Sequence, residues 1–106
     1  MQTRRALIKK IIKIKSRVWL YSGSSSWHFL SVPKKLAKEI QKKHGANARG
    51  WGSLPVLATI RKTKWRTSVF PDRQSETYLL PLKKEIREKE EILSGDMIDF
   101  SLEIKV

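Results

Sequence analysis

The sequence predicts a mainly β domain, a small antiparallel barrel with two short helices, and three observations carry that prediction. The segment Ile98 to Val106 alternates Ile98, Phe100, Leu102, Ile104 and Val106 with Asp99, Ser101, Glu103 and Lys105, the period of a strand with one buried and one wet face. The run from Gly50 to Pro71 reads as two paired strands that carry Arg61, Lys62 and Lys64 between Trp51 and Trp65. The other apolar stretches are short and joined by turn residues, which leaves few parallel crossovers. Closing the sheet then hides edges that an apolar-faced chain would expose.

Met1 to Lys10 reads as a basic N-terminal extension and residues 11–106 as one domain, since 106 residues leave no room for a second. Leu7, Ile8, Ile11 and Ile12 fall at helical spacing between cations, the pattern of an interfacial helix on an anionic membrane. β-Branched content and strict alternation from Ile11 to Tyr21 favour a strand instead, so membrane-surface binding is not expected. That strand puts Ile12, Ile14, Val18 and Leu20 on one face and Lys13, Lys15, Arg17, Trp19 and Tyr21 on the other.

Gly23-Ser24-Ser25-Ser26 is a hairpin turn and Trp27 to Val32 a second strand. Pro33 opens a helix whose apolar stripe is Leu36, Ala37 and Ile40 and whose stop is Gly45. Residues 47–53 form a glycine-containing loop without the order of a phosphate loop, and Gly50-Trp51-Gly52 is expected to clamp its indole against a barrel end. Leu54 to Thr63 and Lys64 to Phe70 are strands, the second ended by Pro71-Asp72. Glu76 to Leu82 is another strand, Lys83 to Glu91 a short helix, and Ser94-Gly95-Asp96 a tight turn. The predicted order is β, β, α, β, β, β, α, β.

The net charge of +13 is unevenly spread. Residues 1–71 hold seventeen Lys or Arg and one acid, and residues 72–106 hold six bases and nine acids, a balance of +16 against −3. That asymmetry suits nucleic acid or another polyanion, and it equally describes a solvated lysine-rich surface. With no cysteine there is no disulfide, thiolate metal site or thiol nucleophile. No secretory signal or transmembrane segment is visible, so a cytoplasmic location is expected. His28 and His44 lack metal-ligand partners at suitable spacing, Ser24, Ser25, Ser26 and Ser68 lack a nucleophile-elbow context, and Asp72, Asp96 and Asp99 fit no magnesium pattern. The expectation is a binding module without catalytic site, metal or cofactor.

Trp27-His28-Phe29 followed by Pro33, Gly50-Trp51-Gly52, Pro55-Val56, the run Trp65 to Pro71, Tyr78 to Lys83, Ile86-Arg87 and Gly95-Asp96 together resemble the domain of unknown function family nineteen-oh-five, over about residues 11–106. The resemblance implies a double-split β-barrel, grouped by shape with AbrB- and MazE-like transcription factors and without an established biochemical activity. Some relatives are fused to a domain resembling bacteriocin-protection proteins of the YdeI type. Two departures add positive charge: Arg61 stands where relatives usually carry glycine, and the helix after Pro33, often acidic in relatives, begins Lys34-Lys35.

Three functions follow. A nucleic-acid-binding face, ranked first, takes Lys13, Lys15 and Arg17 from the first strand, Lys34, Lys35 and Lys38 from the helix, and Arg61, Lys62, Lys64 and Arg66 from the hairpin, with Trp19 and Tyr21 for stacking. A pocket at one barrel end, built from Trp51, Trp65, Thr67, Lys83 and Arg87 with Arg61 and Lys62 nearby, suits an anionic small molecule or a flipped base. The same tryptophans also read as packing, and the arginines as partners of Glu85, Glu88 or Asp99. The third function is an accessory protein-interaction domain. Monomer and homodimer both stay open, because AbrB-like barrels bind DNA as interlocked dimers while this chain is long enough to close its own barrel.

Overall fold

The structure, a computed structural model, describes residues 10–23 and 27–105. Most of the basic extension, the Ser24 to Ser26 part of the first turn and Val106 lie outside them. Seven strands, β1 (Ile12–Arg17), β2 (Trp19–Leu20), β3 (His28–Ser31), β4 (Leu54–Ile60), β5 (Thr63–Asp72), β6 (Thr77–Pro81) and β7 (Met97–Ile104), accompany two helices, α1 (Lys34–His44) and α2 (Lys84–Glu90). The strand order is β1-β7-β4-β5-β6-β3-β2 with every pair antiparallel, a nearly closed barrel of the predicted class.

Two strands divide between partners, and this double split shapes everything that follows. The first predicted strand breaks at Val18, which gives seven strands instead of six: β1 pairs with β7 and β2 with β3. Val18 is 1% exposed; its N–H donates to Asp96 O and its carbonyl accepts from Gly95 N, each at 2.8 Å. The break resets the alternation. Leu20, expected inside, is 41% exposed, whereas Trp19, expected on the wet face, is half-buried and donates from Nε1 to Ser31 Oγ at 2.9 Å.

β5 is the second split strand. Thr63 to Val69 pairs with β4, and only Phe70 to Asp72 pairs with β6. Pro71 therefore sits inside the strand instead of ending it: β4 pairing stops at Val69, so the missing N–H deprives no neighbour on that side.

The inward residues of β4 and β7, among them Val56, Ala58, Phe100 and Leu102, fill the barrel, while Ala37 and Ile40 of α1 and Ile86 of α2 close it. Pro33 is the cap residue before α1, not its first helical residue; its extended backbone (ψ 146°) offers a carbonyl to Ala37 N at 2.8 Å. Gly45 does not stop the helix by a left-handed turn. It stays right-handed (φ −56°), and the chain tightens into a 3-10 turn over Gly45–Asn47. Tyr78 Oη donates to Gln41 Oε1 at 2.6 Å, pinning α1 to β6, and burial pushes the phenol's pKa up.

Candidate ligand cavity

The split of β5 creates an opening. Because β5 joins β6 only from Phe70 onward while the end of β6 pairs with β3, the segments Trp65 to Thr67 and Pro81 to Leu82 diverge, and α2 begins across the gap. A cavity of about 380 Å³ results, lined by Trp27, His28, Trp65, Arg66, Thr67, Pro81, Leu82, Lys83, Lys84 and Arg87. Trp65, 8% exposed, supplies a fixed apolar wall, and Trp27, 57% exposed, a more open one that leans on Phe29 at 5.8 Å between ring centroids. The half-buried Arg87 donates from Nε to Leu82 O at 3.1 Å, which fixes the guanidinium plane and leaves its two terminal nitrogens without a partner among the described residues. Lys83 and Lys84 make only exposed, long ion pairs with Glu85 at 3.6 Å and Glu88 at 3.9 Å. No carboxylate stands among the lining residues.

Four of the five residues expected in a pocket, Trp65, Thr67, Lys83 and Arg87, thus share one cavity, and Trp51 does not. Trp51 is 92% exposed on the 3-10 turn Gly50–Gly52, with a left-handed backbone (φ 64°), and borders a different groove with Gln41, Pro71 and Arg73. The expectation that the indole is clamped against the barrel is corrected, and the glycine beside it gives the reason. A Cβ on Gly52 would lie 2.9 Å from Pro71 Cγ, so the turn packs through its backbone and turns the indole outward.

A family model described as a domain of unknown function (DUF1905) matches residues 15–102. The chain belongs to the DUF1905 family. No curated protein matches it. The matched segment contains every lining residue of the cavity, so the cavity belongs to the DUF1905 part of the chain, whereas Lys10 and Lys13 lie before it.

The cations expected to form one nucleic-acid face are distributed over this DUF1905 barrel in three places. On the outer sheet, register sets Lys13 opposite Ser101, Ser101 opposite Thr59, and Thr59 opposite Lys64, a row across four strands. Lys15 there lies 3.9 Å from Asp99, and Arg17 donates to Gly95 O at 2.8 Å. On α1, Lys34 lies 3.7 Å from Glu76 while Lys35 and Lys38 are exposed. Arg66 borders the cavity. At the end of that outer sheet, and part of the first place, Arg61 and Lys62 form the β4–β5 turn, where the sequence predicted continuous strand. Arg61 Nη1 donates to Glu90 Oε1 at 2.8 Å and Glu90 O at 3.0 Å, and the Thr63 hydroxyl donates to Glu90 Oε2. The Thr63 hydroxyl first, and then Arg61, hold the Glu90 carboxyl below the usual carboxylate range. Trp19 is committed to Ser31 and Phe29; Tyr21 meets Phe29 edge-on at 6.4 Å between ring centroids but stays 51% exposed, the more open of the two expected stackers.

Lys13 links two of the three places. It lines a groove of about 430 Å³ with Lys15, Arg61 and Ser101, and a second of about 240 Å³ between β1 and α1 with Lys10, Lys43 and His44. Lys10 holds the Lys43 ammonium below its ordinary pKa through a shared hydrogen bond and charge repulsion. Sequence reasoning missed Lys10 and Lys84 as site residues. Only Lys84, adjacent to Lys83, carried a local signal. Among the described residues no three His, Cys, Asp or Glu gather as a metal-binding group, and no helix is long and apolar enough to cross a membrane.

Proposed function

We propose that this DUF1905 barrel is a non-catalytic binding module whose cavity takes a small anion carrying a flat apolar group, such as a nucleotide or an aromatic carboxylate. One observation carries the reading: two indoles and four cations line a single cavity without a carboxylate among them. The indole walls suit stacking, and the oriented Arg87 suits paired hydrogen bonds to a phosphate or carboxylate. The size fits a ligand of that kind, at the low end of small-molecule sites. The test is a tryptophan-fluorescence titration with nucleoside monophosphates, an aromatic carboxylate and inorganic phosphate. Saturable quenching by an aromatic anion, with Arg87→Ala weakening it about 10- to 100-fold as expected for a lost charged hydrogen bond, supports the reading. Absence of saturation across the panel, or equal affinity in Arg87→Ala, overturns it.

A second reading, nucleic-acid binding on the Lys/Arg surface, is favoured by Lys13, which makes the sheet cations and the α1 cations neighbours across the Lys10–Lys43 groove. A phosphate placed there relieves the repulsion between Lys10 and Lys43. Duplex binding of this kind gives a log-log salt slope near −0.9 per phosphate contact, and Lys13→Glu with Lys64→Glu flattens it. Binding indifferent to both substitutions removes the sheet from the interface.

A further inference from the structure

Trp51 is the most exposed large apolar side chain among the described residues, and its backbone is left-handed, a conformation that a bulky residue seldom adopts. Neither feature comes from a slack loop. Arg49 N donates to Ser53 O at 2.8 Å, Gly52 N to Arg49 O at 3.0 Å, and Gly52 seats against Pro71, so the indole is presented by a braced turn. It opens onto a groove between α1 and the β5–β6 turn. One section, about 850 Å³, is bordered by Trp51, and the next, about 460 Å³, by Lys38 and Lys42; Gln41, Pro71 and Arg73 border both, which makes the groove continuous.

Cations outnumber carboxylates along it by three to two: Lys38, Lys42 and Arg73 against Asp72 and Glu76. Asp72 accepts from the Ser75 hydroxyl and Glu76 lies against Lys34, whereas Lys38, Lys42 and Arg73 make no ion pair with any described residue. Unpaired cations at successive positions beside a free aromatic face are the two components of a single-strand site, phosphate neutralisation and base stacking. A duplex keeps its bases stacked inside and offers nothing to an outward indole.

We infer that a single-stranded nucleic-acid tract lies along the groove between α1 and the β5–β6 turn and stacks an unpaired base on Trp51. This rests on the nucleic-acid reading and not on the ligand cavity. Lys38, Lys42 and Arg73 take the phosphates, and Gln41, held by Tyr78, forms the groove floor.

The experiment is a fluorescence-anisotropy titration of labelled oligo-dT and oligo-U of about 12 nucleotides, a length within known single-strand site sizes. A duplex, heparin and phosphatidylserine-containing vesicles serve as competitors, and Trp51→Ala, Trp51→Phe, Lys42→Ala and the pair Lys13→Glu with Lys64→Glu as variants. Circular dichroism checks that each variant is folded. Trp51→Ala is expected to weaken single-strand binding about 5- to 100-fold, one base stack, with Trp51→Phe restoring most of it. Lys42→Ala is expected to reduce the salt slope by about 0.7. Comparison of oligo-dT with oligo-U assigns the tract to DNA or RNA. Single-strand binding unchanged in Trp51→Ala but lost in the sheet pair overturns the inference and keeps the nucleic-acid reading. Equal competition by duplex or heparin, or preference for vesicles, also overturns the inference, and absence of binding to any nucleic acid overturns both.

Discussion

Arg61 holds a backbone angle (φ 54°) that favours glycine, in a turn of only two residues, and it does so while gripping the end of α2. The grip explains why a long side chain is kept at a strained position: the guanidinium joins the β4–β5 turn to Glu90, whose side chain is only 10% exposed and also takes the Thr63 hydroxyl. Replacing Arg61 therefore has two effects of opposite sign. Arg61→Ala loses the contact and keeps the strain, whereas Arg61→Gly loses the contact and relieves it, so Arg61→Gly is expected to be the more stable of the two by about 1 kcal/mol in urea denaturation. Equal stability, or the reverse order, removes strain from the account. The same cluster predicts a pH effect. Because the folded Glu90 carboxyl titrates below its unfolded value, its contribution is present above the unfolded pKa and is lost as pH falls through the folded one. Glu90→Gln should flatten the acid limb of a plot of melting temperature against pH, and an unchanged limb would place the acid sensitivity elsewhere.

Elements were legible where their cause is local. β7 and β4 announce themselves by strict alternation, and the stripe Leu36, Ala37, Ile40 after Pro33 announces α1. The break between β1 and β2 has no local cause, because the partners of the Val18 backbone are Gly95 and Asp96, far along the chain. Alternation read through the break gives Leu20 the wrong face. A pair of truncations measures that reversal. Val18→Ala is expected to cost about 2 kcal/mol as a buried truncation, and Leu20→Ala less than about 0.7 kcal/mol as a largely exposed one. Similar losses in the two would mean that the alternation continues and that the strand is not split in solution. The cavity has the same origin at this scale. Trp65, Thr67, Lys83 and Arg87 could be grouped from residue types alone, but the wall contributed by Trp27 depends on β3 pairing with β6 at the place where β5 departs. Trp51 was misplaced because closeness in sequence to Trp65 says nothing about which side of Pro71 the turn occupies.

At the scale of the whole molecule, a charge of +13 acts twice, as a field over the entire surface and as particular cations at particular sites. The field was legible from composition; its division among sheet, helix and cavity was not, because strand register and the helix seat decide it. The two actions respond differently to added solutes. Self-repulsion among exposed lysines is screened by any salt, so the melting temperature should rise with sodium chloride and level off once the Debye length falls well below about 10 Å. A ligand in the cavity adds a term that depends on its own concentration, about 2.7 kcal/mol at a hundredfold excess over Kd. At constant ionic strength, then, an aromatic anion that fits the cavity should raise the melting temperature above the chloride level, and Arg87→Ala should abolish that increment while leaving the chloride response intact. If the variant loses both responses together, Arg87 is holding up the fold and not receiving a ligand. If the anion adds nothing beyond chloride in the unmodified protein, the four cations around the cavity belong to the general field, and the cavity is a by-product of the split strand.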